Sequence, residues 1–339
     1  MDRPPKTATW PSDAGENGEF SPATLPAQPT AVALAPRRQV SAATWEATRR
    51  RFYTAMLVPG VVMLTLITIA PILYLIGTSF TPWDLSRPGS LEFIGFRNYI
   101  RLLTEDTRFW NSVWVQVKLS SLTVPLQVVI GLGLALYLYL QQQIQRLVEI
   151  FRNVFIIPMV IPPVVAALMW RILFTPEVSI LNYAFGVLGL PQVRWLGHPT
   201  LALLAIALAD VWQFFPFCML LLYAGLQALP GEPTEAARID GASTWQLIRH
   251  VLVPMLYPTL AVVILFRVVD SIRTFPLIYV ITQGGPGFAT EPTNYYAYQQ
   301  GLFHGYVGYS SAMVVIMFFF TLALSVVILR TTRREEAEA

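Results

Sequence analysis

The stretch AMVVIMFFFTLALSVVIL, residues 312–329, contains no charged side chain. A helix over these 18 residues is about 27 Å long at 1.5 Å per residue, close to the thickness of the hydrocarbon core of a bilayer. The whole chain of 339 residues has a similar character, because 55% of its residues are hydrophobic and 13% are charged. The sequence therefore predicts an all-α, polytopic membrane protein that lies in a lipid bilayer.

Five further stretches are long and apolar enough to cross a bilayer, which gives about six transmembrane helices. The fifth span carries three charged residues, but it follows an almost entirely apolar run over residues 255–266. Prolines inside several spans predict kinked helices around a pathway. The predicted spans are 56–80, 113–140, 154–174, 201–229, 255–281 and 310–330.

The segments outside the spans predict two tails and an orientation. Residues 1–51, which are rich in proline and polar residues, are predicted to be a disordered N-terminal tail. Residues 52–330 form the predicted transmembrane domain, and residues 331–339 the C-terminal tail. With the N-terminus inside, twelve arginines near the spans lie on the cytoplasmic side and five on the other. The positive-inside rule thus predicts that both termini and the loop 230–254 are cytoplasmic.

Several classes of site have no support in the sequence. The formal charge of +3, without a cluster of basic residues, does not indicate a nucleic-acid partner. Cys218 is the only cysteine, and none of the histidines stands in an H-E-x-x-H motif, so no metal site is predicted. Neither Lys6 nor Lys118 belongs to a phosphate-binding P-loop, and no G-x-S-x-G motif is present. We therefore predict no catalytic residue and no cofactor in this chain.

The loop 229–254 is predicted to contain two short helices. Pro233 suits the first turn of a helix, and Glu235 adds a negative charge near the helix N-terminus. Gly241 is suited to end that helix, and the capping-box spacing that begins at Ser243 is typical of a second helix. The proline at the end of the loop is predicted to stop the second helix. A short charged helix on a rigid turn is suited to transmit force to a partner protein, whereas an ordinary surface loop is the alternative.

This loop resembles the EAA loop of ATP-binding-cassette (ABC) importer permeases, with Val251 and Val253 in place of the commoner isoleucine and leucine. The matching residues are Glu235-Ala236-Ala237, Asp240-Gly241-Ala242 and Val251-Leu252-Val253-Pro254. Further segments resemble the carbohydrate-uptake branch of that family, which includes the maltose and glycerol-3-phosphate permeases. They are residues 93–99, 224–230 and 278–287.

The resemblance implies a permease subunit in a bacterial or archaeal plasma (inner) membrane. It implies a second homologous permease, an ABC ATPase dimer that holds ATP and magnesium, and an external binding protein. That protein would deliver a sugar, oligosaccharide or polyol-like solute.

The resemblance also implies roles for residues of the EAA-like loop, which we define as residues 230–254. We expect Glu235 to make a charged contact with the ATPase, although stabilisation of the helix end is the alternative. We expect Ala236 and Ala237 to allow close packing, and Asp240 and Gly241 to form the rigid turn.

Polar and aromatic residues inside the spans are candidates for the solute pathway, because a charge in a span must face protein or water. Arg267, Asp270 and Arg273 are spaced to stack on one helix face, where Asp270 could pair with both arginines. Such self-pairing is the alternative to solute binding. The full set of candidates is Asp210, Trp212, Gln213, Arg267, Asp270 and Arg273.

Two other function classes stay open on the residues alone. A proton- or ion-driven secondary transporter would be expected to carry internal repeats, and no clear repeat is visible. A membrane-embedded enzyme that acts on lipid-linked sugars would be expected to carry paired acidic residues in a polar loop.

Overall fold

The computed structural model describes residues 42–87, 92–141 and 145–338, and within these ranges the regular elements are helices. Two segments, Ile248–Leu252 and Gln299–Phe303, are π-helical. The α-helices are α1 (Ala42–Ser79), α2 (Arg97–Thr104), α3 (Thr107–Leu140), α4 (Gln145–Val160), α5 (Pro163–Phe174), α6 (Ile180–Val187), α7 (Pro199–Ala228), α8 (Glu232–Ile239), α9 (Thr244–Leu247), α10 (Val253–Ser271), α11 (Phe275–Ile281), α12 (Thr293–Tyr298) and α13 (Val307–Glu338).

The number of membrane-spanning helices agrees with the prediction. Among the described residues, five helices are long and apolar enough to cross a membrane, or six if α4 and α5 count as one broken span. These two helices meet at an angle of 91°, so the span predicted at 154–174 is not a single straight helix. The break falls at Pro162 and Pro163, because proline lacks the N–H of the helix ladder and disfavours helical geometry in the residue before it.

The span predicted at 255–281 is wrong at both ends. Its helix α10 ends at Ser271, and α11 begins only at Phe275, since the following Pro276 disfavours helical continuation through the residue before it. The sequence predicted that Pro254 stops the preceding helix, but it does not. The Val253 N–H donates to the Ile248 carbonyl oxygen five residues back, and this wider π turn leads from α9 directly into α10.

Both predicted tails overlap helices. Helix α1 begins at Ala42, so residues 42–51 are helical, and residues 1–41 lie outside the described ranges. Glu46 and Arg50 stand four residues apart in this first part of α1, a spacing that supports a helix. At the other end α13 continues to Glu338, because its last turns consist largely of good helix formers such as arginine, glutamate and alanine.

The chain divides into two compact units within α1, at Met63 and Leu64. The described part of the first unit is the N-terminal portion of α1, where the Arg49 guanidinium lies 5.6 Å from the ring centre of Tyr53. The second unit contains all other helices. The most extensive contact between two of its helices is that of α3 with α7. Their shared core continues into α10 through fully buried side chains, among them Leu138, Met219, Leu222, Leu226, Leu252, Leu256 and Val263.

The close packing of α3 on α7 depends on Gly131. A Cβ atom at this position would lie 2.6 Å from the Cβ of Cys218 and 2.8 Å from the backbone nitrogen of Met219. Gly133, two residues further along α3 and on a different face of the helix, has nothing within 4 Å of such an atom. The two glycines therefore make a matched pair for testing the helix contact.

We expect Gly131→Ala to lower the stability of the protein by about 1–3 kcal/mol, because the added methyl group forces α3 away from α7. Gly133→Ala should leave stability unchanged or slightly raised. The stability of both variants is measured by thermal unfolding in detergent micelles. Equal unfolding temperatures for the two variants would contradict the close contact.

A polar clamp holds the segment before α12 against the start of α3. The guanidinium of Arg108 donates from Nε and Nη2 to the two carboxylate oxygens of Glu291, each at 2.8 Å. Asp106 caps α3 by accepting from the Phe109 N–H at 2.8 Å and also accepts from the Tyr296 hydroxyl at 2.7 Å. Burial, together with Asp106, raises the pKa of Tyr296, so the phenol stays protonated and remains a donor.

Candidate solute pathway and coupling loop

A buried polar cluster lies where α3, α7 and α10 meet. Its centre is Arg267 on α10, whose Nε donates to Gln127 Oε1 on α3 at 2.8 Å. The Nη1 group of Arg267 donates to Asp270 Oδ2, one turn further along α10. Its Nη2 group lies 3.8 Å from Asp210 Oδ2 on α7, within ion-pair distance.

Gln127 joins the two sides of this cluster. Its Nε2 donates to Asp210 Oδ2 at 2.8 Å and to the Asp210 carbonyl oxygen at 3.1 Å. Gln127, Asp210 and Arg267 are at most 1% exposed, and the guanidinium carbon of Arg267 lies 4.3 Å from the ring centre of Phe214. The side chain of Asp270, in contrast, is 48% exposed. The arginine charge is thus enclosed, and one carboxylate of the cluster is open.

The structure brings together only part of the predicted pathway set. Asp210, Arg267 and Asp270 meet, and the expected pairing of Asp270 with Arg267 is present. Arg273 is exposed in the turn after α10 and forms no ion pair among the described residues, so the predicted three-charge ladder is wrong at this position. The reason is that α10 ends at Ser271, where helical spacing no longer applies. Sequence reasoning missed Gln127, although an amide within an apolar span was a signal for it.

Trp212 and Gln213 lie elsewhere on α7. The Nε2 of Gln213 donates at 3.1 Å to the carbonyl oxygen of Ile161, which the break between α4 and α5 leaves without a helical partner. The half-buried ring of Trp212 packs edge-on against Trp170, with 5.7 Å between ring centres. Gln213 therefore stabilises the bend of the broken span.

We expect Gln213→Leu to lower stability by about 1–3 kcal/mol, because the Ile161 carbonyl would be left unsatisfied in an apolar environment. Gln227→Leu, at an exposed position of the same helix, is the control: it removes a hydrogen bond to the Tyr223 hydroxyl but none to a backbone carbonyl, so its effect should be smaller. The unfolding temperatures of the two variants show whether the hydrogen bond of Gln213 stabilises the protein. A Gln213→Leu protein as stable as the control would show that this hydrogen bond is not needed at the bend.

The EAA-like loop has the predicted two-helix form. Helix α8 ends at Ile239, and Gly241 follows in the left-handed region with a φ of +80°. Ser243 and Gln246 form the predicted capping box at the start of α9: the Ser243 N–H donates to Gln246 Oε1 at 2.8 Å, and the Gln246 N–H donates to Ser243 Oγ at 3.4 Å. Only glycine adopts this φ without strain, so Gly241 sets the angle between the two helices.

The two faces of α8 differ. Ala237 is half-buried, and its covered side packs against the core shared by α3, α7 and α10. Glu235 and Ala236 are exposed. Two large apolar side chains also point outward, Ile239 at 86% exposure and Trp245 at 66%. This combination of charged and apolar exposed side chains is typical of a protein–protein contact.

Comparison with known proteins relates this chain to a group of transport proteins. Residues 127–334 match the family described as the binding-protein-dependent transport system inner membrane component. The chain is 35% identical to the trehalose/maltose transport system permease protein MalF of Thermococcus litoralis, over 80% of this chain and 91% of the relative. It is 33% identical to the sulfoquinovosyl glycerol transport system permease protein SmoG of Agrobacterium fabrum, over 83% of this chain and 90% of the relative.

A solved structure has the same fold. One chain of a bacterial alginate ABC transporter, in complex with an alginate pentasaccharide-bound periplasmic protein, superposes with a TM-score of 0.76. The match covers 86% of this chain and 96% of that chain at 19% sequence identity. The described helices thus have the same fold as that chain.

Proposed function

Since this chain belongs to the family of binding-protein-dependent transport system inner membrane components, we propose that it forms half of a pathway for a sugar, oligosaccharide or polyol-like solute. It is a multi-pass inner-membrane permease of an ABC importer, and its family consists of transport permeases and not of enzymes. Family membership also sets aside the ion-driven transporter considered from the sequence.

The observation that carries the solute proposal is the polar cluster of Asp210, Gln127, Arg267 and Asp270. A charged group inside a span is retained where it faces protein, water or a solute, and the Asp270 carboxylate is open. A carboxylate accepts hydrogen bonds from sugar hydroxyl groups. The names of two relatives, which specify trehalose/maltose and sulfoquinovosyl glycerol, support a solute of the carbohydrate class.

We also propose an orientation and partners for this chain. We place both termini and the EAA-like loop on the cytoplasmic side, as the arginine distribution predicts. An ATPase dimer, which would hold the ATP and magnesium, docks on this loop and on the loop of a second, homologous permease. Glu235, Ala236, Asp240 and Gly241 form the exposed part of the docking element. An external binding protein delivers the solute.

Closure of the ATPase pair would draw the two loops together. Because the π segment Ile248–Leu252 joins α9 to α10 without a break, a movement of the loop is passed directly to the helix that carries Arg267 and Asp270. The EAA-like loop and the α10 residues of the polar cluster are therefore joined by one continuous helical segment. This link supports alternating access of the cluster to the two sides of the membrane.

Purification of the chain from its native membrane, with the attached proteins identified by mass spectrometry, tests the proposal. We expect a second permease and an ATPase to be recovered with it. The binding protein can then be screened against sugars and polyols by thermal shift, where a true ligand raises its melting temperature. Recovery of the chain alone, with solute transport intact, would contradict the proposed assembly.

A further inference from the structure

We propose that an anionic phospholipid of the outer leaflet binds in the cleft between the end of α10, α12 and α13, with its phosphate on Arg273 and an acyl chain along α13. The cleft has a volume of about 550 Å³. The inference goes beyond the proposed function and takes from it only the orientation, which places this end of α10 on the outer side. Lipid binding needs neither ATP nor solute, so its failure is distinguishable from a failure of the proposed function.

The apolar wall of the cleft runs along α13. The lining residues on this helix share one face, and they are Ser310, Val314, Met317, Phe318 and Thr321. A helix rises about 16 Å from the first of these residues to the last, and half of the hydrocarbon core of a bilayer is about 15 Å thick. Val314 and Phe318 are 37% and 41% exposed. The wall therefore has the length and the open apolar surface that suit an acyl chain of one leaflet.

The polar end of the cleft is formed by Arg273 and Asn294, near the start of α13. Arg273 lies two residues beyond the end of α10. Asn294 lies one turn before Ala297, whose carbonyl oxygen accepts from Ser310 Oγ at 2.7 Å. Within the described ranges, Asn294 Oδ1 has no hydrogen-bond partner. A guanidinium and an amide suit the phosphate and the hydroxyl groups of a lipid headgroup.

Aromatic rings surround this polar end. Phe275 and Tyr298 line the cleft, with 5.0 Å between their ring centres. The ring of Tyr279 lies 5.8 Å from that of Tyr298. Tyrosine is enriched where the bilayer meets water, because its ring is apolar and its hydroxyl is polar. The rings therefore indicate that the polar end of the cleft lies at the level of the lipid headgroups.

Arg273 is available for a phosphate. Asp270 stands one turn before it, but Asp270 Oδ2 accepts from Arg267 Nη1, and Asp270 does not line the cleft. Arg273 is exposed and forms no ion pair in the part of the chain that the structure describes. A protein that covered the cleft would have to place a carboxylate at the edge of the membrane, whereas a phospholipid brings its own anion there. The charge of the cleft therefore favours an anionic lipid.

Photoaffinity labelling of the complete importer tests the site. The probe is phosphatidylglycerol with a diazirine in one acyl chain, and the vesicles consist of phosphatidylcholine, whose headgroup has no net charge. We expect mass spectrometry to find cross-links on residues 310–321 that excess unlabelled phosphatidylglycerol removes. Absence of such competed cross-links from this segment would overturn the inference.

Substitution of the cation tests its role in the same assay. We expect Arg273→Gln to weaken competition by phosphatidylglycerol at residues 310–321 about tenfold, which corresponds to about 1.4 kcal/mol. Arg97→Gln is the matched control, because Arg97 is an exposed arginine on α2 that does not line the cleft, and it should leave competition unchanged. Equal competition in the two variants would show that Arg273 does not bind the headgroup and would overturn the inference.

A photoreactive amino acid in place of Val314 distinguishes a lipid from a protein in the cleft. In the complete importer with phosphatidylglycerol, illumination should add the mass of one phospholipid to this chain. A cross-link from this position to a second permease would show that the cleft is an interface between subunits, and the inference would then be wrong.

Discussion

Arg267→Met is expected to reduce the amount of folded importer in the membrane and to abolish solute uptake. The change leaves Asp210 buried and Asp270 half-buried without their shared cation. Removal of one partner from a buried ion pair costs about 3–5 kcal/mol, a large share of the stability of an ordinary domain. Size-exclusion chromatography after heating measures the loss, since unfolded permease leaves the monodisperse peak.

Two further variants show whether the loss comes from the uncompensated charges. Lys118→Met removes an exposed cation from α3 and should change stability by no more than about 0.5 kcal/mol. The triple change Arg267→Met, Asp210→Asn and Asp270→Asn removes all three charges and should recover much of the lost stability, because neutral replacement of a buried ion pair is often tolerated. If Arg267→Met is as stable as the Lys118→Met control, the cluster does not hold the three helices together.

Gly241→Val is expected to uncouple ATP hydrolysis from transport while the membrane helices stay folded. Gly241 has a φ of +80°, where an L residue is strained by roughly 1–2 kcal/mol and a β-branched residue is most disfavoured. The turn between α8 and α9 would then change its angle, and Glu235 and Trp245 would no longer face the same partner surface. We expect the loaded binding protein to stop stimulating the ATPase, and uptake to fall by about tenfold or more, as a misfit of 1.4 kcal/mol would produce.

Gly231→Ala is the matched control in the same loop. Gly231 caps the start of α8 with a φ of −73°, which any residue adopts, and the nearest atom to an added Cβ is 3.8 Å away. Its ATPase stimulation should stay at the level of the unaltered importer. Normal coupling in Gly241→Val would show that the rigid turn is not part of the transmission element.

The local features of this fold could be predicted from the sequence because their causes are local. The uncharged run at residues 312–329 predicts a membrane-spanning helix, and α13 contains it. Gly241 and the capping box at Ser243 also depend on neighbouring residues alone, and both have the predicted form. The two prolines at 162 and 163 indicated a kink, but the angle of 91° depends on how α4 and α5 pack on other helices.

The polar cluster could not be predicted from the sequence, because it depends on how the helices pack against one another. Gln127 and Arg267 are 140 residues apart, and no periodicity of either span shows that their side chains meet. The position of Arg273 depended on where α10 ends, because Arg273 lies two residues beyond Ser271, the last residue of that helix. Ala237 matched the expected motif, but which side of a short helix faces its own core is decided by tertiary contacts.

We expect this permease to transport a solute only when an ATPase is docked on its EAA-like loop. The most direct test is uptake of the solute identified by the binding-protein screen into proteoliposomes that contain the importer with and without its ATPase, with ATP on the ATPase side. We predict accumulation only in vesicles that contain both the ATPase and ATP, and loss of accumulation when Glu235→Lys and Gly241→Pro are combined. Accumulation in vesicles that lack the ATPase, or undiminished accumulation in the double variant, would contradict it.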